Sequence, residues 1–159
     1  MKAIVIYDSQ FGNTEKVALA IRDVLSDAAE TRLLQAGSVA PRDLSAADLL
    51  VVGSPTQRFH ATEPVDRFLK GASLRGIRAA AFDTRFDMAE VESRALKLAV
   101  KVAGDSAYAA PRIAAVLEKA GATMVVAPEG FIVTDTEGPL REGELERAAE
   151  WARGILAAL

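Results

Sequence analysis

The stretch DSQFGNTE, residues 8–15, joins an apolar run at residues 3–7 (AIVIY) to an amphipathic run that starts at Lys16. The first run has the unbroken apolar character of a parallel strand covered on both faces. From Thr14 to about Ala28, Val17, Ile21, Val24 and Leu25 fall on one helical stripe. A strand that ends in a Ser/Gly/Asn/Thr loop and hands over to a helix is an anion cradle. The loop amides and the first-turn N–H groups converge on one spot, which the helix dipole makes electropositive. Gly12 lets the main chain bend towards a ligand with no Cβ in the way. Ser9, Asn13 and Thr14 add short side-chain donors, and Thr14 can also cap the helix. Since the loop holds no Lys or Arg, oriented amides and hydroxyls would grip a nucleotide or flavin phosphate. The same residues are also good turn formers, so the rest of the chain must decide between a turn and a site.

Outward from this junction the strand–helix alternation repeats. Residues 31–36 are a weaker, peripheral strand. Residues 37–47, broken by Pro41, form a connection with at most a helical turn near Leu44. DLLVVG, residues 48–53, is the clearest strand after the first. Residues 64–70 predict a short helix, with Thr62 as N-cap and Pro64 in its first turn. A fourth strand follows at residues 77–82. Helical spacing then covers 88–103, and a second helix covers 107–120 with Gly121 as its stop. Residues 122–127 are the fifth strand. Residues 128–143 read as an irregular connection with a short β-like piece, Phe131-Ile132-Val133. In it, Glu137-Gly138-Pro139 is turn chemistry and is assigned to structure rather than to ligand contact. Residues 144–159 close the chain as a helix in which Trp151 is packed or half-exposed. Without repeats or a linker, residues 1–159 are expected to form one α/β domain, a parallel sheet of five strands with helices on both faces. Ligands of such sheets sit beyond the carboxyl ends of the strands, where the strand order reverses.

The totals narrow the function. With 159 residues, 50% of them hydrophobic, the chain can bury a proper core. No apolar run approaches the roughly 20 residues of a membrane span. The chain enters a strand directly, without a signal-peptide pattern. Zero cysteines exclude disulfides, thiolate metal sites, Fe–S clusters and thiol catalysis. Cytoplasm is therefore the expected compartment. A net charge of −3 argues against broad nucleic-acid binding. Neither a metal-ligand set nor a catalytic constellation is read.

Taken together, IVIYDSQFGNTEKVA, VVGSPTQRFHATEP and AAFDTRFD resemble the flavodoxin family over nearly the whole chain, in a short-chain form. The resemblance implies a flavodoxin-like three-layer sandwich with strand order 2-1-3-4-5. It also implies noncovalently bound FMN and electron transfer between redox protein partners, a reductase and an acceptor. By the same resemblance, Ser9, Gln10, Gly12, Asn13 and Thr14 match the phosphate loop. Ser54, Pro55, Thr56 and Gln57 match the loop that covers one face and edge of the flavin ring. Asp83, Thr84, Arg85 and Phe86 match the loop on the pyrimidine side and the other face. A flat ring needs aromatic walls and a few polar partners, which Phe59, His60, Phe86 and Asp83 are placed to supply.

Three departures from the family pattern carry expectations. Phe11 stands where a hydroxyl residue is usual, which removes a donor; it walls the ribityl chain or packs outward. The second loop lacks a glycine, so a positive φ there is costly and the one-electron-reduced flavin is expected to be stabilised less. Arg58 and Arg85 fall where the ring would sit, and a cation favours the anionic reduced flavin, so a raised potential for full reduction is expected. The alternative function is an FMN-dependent NAD(P)H:quinone-type oxidoreductase on the same fold, which requires room over the ring for a second substrate. A phosphoacceptor receiver domain is excluded, because the third strand ends in Gly53-Ser54-Pro55 and the fifth in Ala127-Pro128 rather than in the Asp and Lys it requires.

Overall fold

In the computed structural model, which describes residues 1–159, β1 (Lys2–Tyr7) takes a central place because every residue after Lys2 is buried. The elements that follow are α1 (Asn13–Ser26), β2 (Glu30–Gln35), α2 (Pro41–Leu44), β3 (Leu49–Pro55) and α3 (Glu63–Leu69). After them come β4 (Arg78–Phe86), α4 (Arg94–Ala103), α5 (Ala109–Lys119), β5 (Thr123–Met124), β6 (Glu129–Val133) and α6 (Glu144–Ala157). The strands pair in parallel in the order β2-β1-β3-β4-β5, as the resemblance implied. Alternation along each strand sends side chains to two cores. Ile4, Ile6, Leu50 and Val52 meet Val65 and Leu69 of α3 and Ile113 and Leu117 of α5. Val5, Val51, Ala80 and Phe82 meet Val17 and Ile21 of α1 and Ala148, Ala152 and Ile155 of α6. The result is three layers. Because α1 leaves to one face after β1 and α3 to the other after β3, the two loops diverge and open a crevice between them.

The sheet departs from the expected boundaries on its β4 side. β4 runs on to Phe86 rather than stopping at residue 82, because Phe82–Phe86 pair in register with Glu129–Val133. The fifth position of the sheet is correspondingly split. β5 covers only Thr123–Met124, and the piece read as part of a connection is β6, which resumes the pairing with β4. Hydrogen bonding to a distant strand, not local apolar content, sets both limits. The helix expected over 88–103 starts only at Arg94, where the Ser93 hydroxyl accepts the Leu96 N–H at 3.2 Å. Trp151 is partly buried and joins Phe82 and Phe131 in an edge-to-face trio with centroids 6.1–6.2 Å apart.

Glu144, only 3% exposed, fastens α6 to β6. Its carboxylate accepts the Ile132 N–H at 2.6 Å and pairs with Arg147 at 2.7 Å. Burial alone opposes ionisation, but the Arg147 and Ile132 hydrogen bonds and the Arg147 and Arg141 charges outweigh it and hold the carboxyl below its ordinary value of 4.5. The unfolded chain therefore takes up this proton first. The stability that Glu144 supplies is complete above pH 4.5 and is lost as the pH falls through its lower folded value. Glu144→Gln is expected to lower stability by about 2 kcal/mol at neutral pH. Urea midpoints for the two proteins should converge on acidification, and parallel curves down to acid would contradict this assignment.

Candidate functional site

The chain leaves β1 through residues 8–12 and turns into α1 at Gly12, whose φ of 88° puts it in the left-handed region. Gly12, rather than the expected Thr14, is the N-cap, and no side chain caps the helix. The first-turn N–H groups of a 14-residue helix therefore face outward with their partial positive charge intact. Ser9 closes the loop locally, its hydroxyl accepting the Gly12 N–H at 3.0 Å. Thr14 is buried, with its hydroxyl 2.8 Å from that of Thr84 on β4. The Asn13 side chain is committed elsewhere: Nδ2 donates to the Glu137 carbonyl at 3.0 Å. Asn13 thereby ties the turn at residues 135–138 to the loop, and Thr136 from that turn lines the cleft.

The second loop, after β3, doubles back in a two-residue hairpin. Gln57 and His60 exchange both backbone hydrogen bonds at 2.9 Å, with Arg58 and Phe59 at the corners. Both corner residues have positive φ, 48° and 70°. The loop adopts this costly region without a glycine, because the two-residue hairpin requires φ > 0 at both corners. Residues so held carry strain. Arg58→Asn with Phe59→Gly supplies the residues that such a turn prefers and is expected to raise stability by about 1 kcal/mol. A thermal melt of the double variant checks it, and an unchanged or lower midpoint would remove the strain from the account.

The third loop grows out of β4. Asp83 and Arg85 lie on the same face of the strand, and the guanidinium grips the carboxylate through Nε at 2.6 Å and through its terminal nitrogen at 2.7 Å. Asp83 is fully buried and also accepts the Ala110 N–H at 2.8 Å, while Thr56 Oγ1 accepts that of Ala109. Side chains from the loop after β3 and from β4 thus satisfy the first turn of α5. Burial pushes the Asp83 carboxyl above its ordinary value of 3.8, and the Arg85 hydrogen bond and charge pull against that rise. Asp83 faces α5 and does not reach the cleft, contrary to its assignment as a ring or ribityl partner. The Arg85 guanidinium lies 3.8 Å over the Tyr108 ring centre and so close to Gly130 that a Cβ there would stand 2.2 Å from Nε. Tyr108 carried no sequence signal. With its charge already matched by Asp83, Arg85 is not the free cation that was expected beside a ring.

Between the three loops lies a cleft of about 760 Å³, within the usual range for small-molecule sites. Ser9, Gln10, Phe11, Asn13 and Thr14 form one wall, Pro55, Thr56, Gln57 and Arg58 a second, and Thr84, Arg85 and Phe86 a third. His60 lines the cleft as expected, and the structure adds Ala61, Thr62, Glu63, Val133 and Thr136 to the lining. Ser54 stands behind it, fully buried and accepting the Thr62 N–H at 2.9 Å, and Phe59 and Gly12 also lie off the lining. Phe11 and Phe86 are exposed, at 44% and 37%, and both flank the opening. Gln57 Nε2 donates to Gln10 Oε1 at 2.5 Å and so links two walls. Thr62 Oγ1, on the lining residue ahead of α3, is buried without a hydrogen-bond partner in the protein.

A flavodoxin family model matches residues 5–151. The fold is similar to that of a flavodoxin from the domain Archaea, at 23% identity and a TM-score of 0.72, over 99% of this chain and 96% of that one. It is also similar to oxidised flavodoxin 2 from Bacillus cereus, at 21% identity and a TM-score of 0.77, over 100% of both chains. Oxidised flavodoxin 1 of the same organism gives 19% identity and a TM-score of 0.77, over 100% of this chain and 99% of that one. No helix is long and apolar enough to cross a membrane. With the family match running from β1 into α6 and the sheet in the order 2-1-3-4-5, the chain belongs to the flavodoxin family.

Proposed function

We propose that the chain binds FMN noncovalently in this cleft and, as a single cytoplasmic domain, carries electrons between a reductase and an acceptor protein. The observation that carries this proposal is the uncapped N-terminus of α1 opening onto a cleft flanked by two exposed phenylalanines. A phosphate suits the first feature and a flat ring the second. The buried, partnerless Thr62 hydroxyl fits the same account, since an orphaned polar atom on a cleft lining marks a place where a ligand or water completes the hydrogen bonding.

Each loop then has a task. Backbone N–H groups of Asn13, Thr14 and Glu15, with the Ser9 hydroxyl, would hold the phosphate, while Gly12 keeps the turn tight. Phe11 and Phe86 would wall the ribityl chain and ring. Pro55, Thr56, Gln57, Arg58, Thr84 and Arg85 would line the ring's edges, and Ser54 and Asp83 would position the second and third loops from behind. Phe59 would hold the hairpin corner rather than touch the ring. FMN, when bound, supplies the capacity to take up and release electrons singly or in pairs. None of the chain's ion pairs involves Arg58, so it is the residue on the rim whose charge remains to favour a more reduced ligand.

Titration with FMN and with riboflavin tests the assignment. FMN is expected to bind and turn the protein yellow, at least about tenfold more tightly than riboflavin, because only FMN offers the dianion that the helix end attracts. A colourless protein that does not take up FMN overturns the proposal. Steady oxidation of NAD(P)H by the FMN-loaded protein alone would instead assign the quinone-type oxidoreductase.

A further inference from the structure

α4 does nothing for either core. It has no buried residue along its ten positions, and α5, not α4, covers the sheet on that side. Its main packing is against the short turn Gly104–Ala107 that follows it. Leu98 and Val102 lie one turn apart on the same face and are 62% and 81% exposed, the highest values among the large hydrophobic side chains that stand in solvent. Arg94, Lys97 and Lys101 line the adjoining flank. The chain has 22 acidic side chains for 19 cationic ones, yet no acid pairs with these three. A capped helix that presents aliphatic side chains and unmatched cations to water is an interaction surface.

We propose that α4 docks the protein on an anionic lipid surface, an inference that goes beyond the cleft and does not depend on it. The charge of the flank is complementary to such a surface, and the composition of the face suits it. Tight protein interfaces centre on Trp, Tyr and Arg anchors, and of these α4 has no Trp or Tyr and only Arg94. A second copy of α4 would set cations against cations. On a bilayer, Leu98 and Val102 enter the boundary beneath the headgroups while the Lys and Arg stems lie along it and reach the phosphates. Glu92 and Asp105 lie beyond the two ends of the helix. Electrostatic interactions fade over a Debye length of about 8 Å, so the acidic excess on the other faces of the chain does not cancel the local attraction.

Cosedimentation of the full chain with vesicles tests this. Binding is expected to mixed phosphatidylglycerol–phosphatidylcholine vesicles and not to pure phosphatidylcholine, and it should weaken in high salt. Each cation near such a surface strengthens binding about fivefold, so Lys97→Glu with Lys101→Glu is expected to weaken it at least about 25-fold. Leu98→Asp with Val102→Asp should abolish it. None of these residues lines the cleft, so FMN uptake by the same variants should match that of the parent chain and separates this proposal from the previous one. The inference is overturned by absence of binding to the mixed vesicles, by equal binding to neutral ones, or by undiminished binding of the Leu98 and Val102 variant. Self-association in sedimentation velocity that the same variant abolishes overturns it too and assigns the face to a second copy.

Discussion

Replacing Gly53 with alanine or valine is expected to destabilise the protein severely. Gly53 sits in β3 directly beneath Phe82 of β4, and a Cβ added to it would stand 2.0 Å from Cζ of that ring. The ring has nowhere to go, since Phe131 and Trp151 hold it edge-on from the other side at 6.1 and 6.2 Å. Overpacking in a core costs about 1–3 kcal/mol where neighbours can give, and here they cannot, so alanine is expected at the top of that range and valine beyond it. The damage extends to the cleft, because the Gly53 carbonyl accepts the Asp8 N–H at 3.2 Å and so ties the first loop to β3. Denaturant midpoints for Gly53→Ala, Phe82→Leu and the double variant measure the clash. The double variant should be less destabilised than the two single losses summed. A Gly53→Ala protein as stable as the parent would show that the ring is free to move.

Asp83→Ala is expected to lower stability by about 3–5 kcal/mol, the range found when one partner of a buried ion pair is removed. Three groups lose their acceptor at once: both ends of the Arg85 guanidinium grip and the Ala110 N–H at the start of α5. Asp83→Asn, which keeps the shape and one acceptor oxygen, should cost less. Arg85→Met in the Asp83→Ala background should restore much of the loss, because an apolar residue over Tyr108 leaves no charge unmatched. Measuring all four proteins by urea unfolding decides it. If Asp83→Ala alone is near neutral, the pair is ornamental and Arg85 is free to serve as a cation in the cleft after all.

The strands, the helices and the loops at one edge of the sheet could be read along the chain because each rests on local chemistry, whereas the strand order came with the family resemblance. Continuous apolar strands, helical stripes and a glycine-marked turn after β1 are short-range patterns, and parallel crossovers allow few arrangements. The junction proposed to hold a phosphate was legible for the same reason, since its loop and first helical turn lie within residues 8–15. What the sequence could not disclose are the orientations that depend on partners far away in the chain. The side chains of Asn13, Thr14 and Asp83 turn to Glu137, to Thr84, and to Arg85 with the first turn of α5, so all three have partners within the framework. The strained corners at Arg58 and Phe59 were likewise hidden, since hairpin closure imposes a backbone that neither residue prefers.

Sequence by itself therefore determined which segments become strands and helices, and which loops gather at one edge of the sheet, because apolar periodicity and turn chemistry act over a few residues. Only the tertiary structure decided which side chains face the cleft, how β5 breaks and β6 resumes against β4, and that α4 stands clear of the core. Those outcomes turn on burial and hydrogen bonding between segments up to 124 residues apart, for which no neighbouring residue leaves a sign.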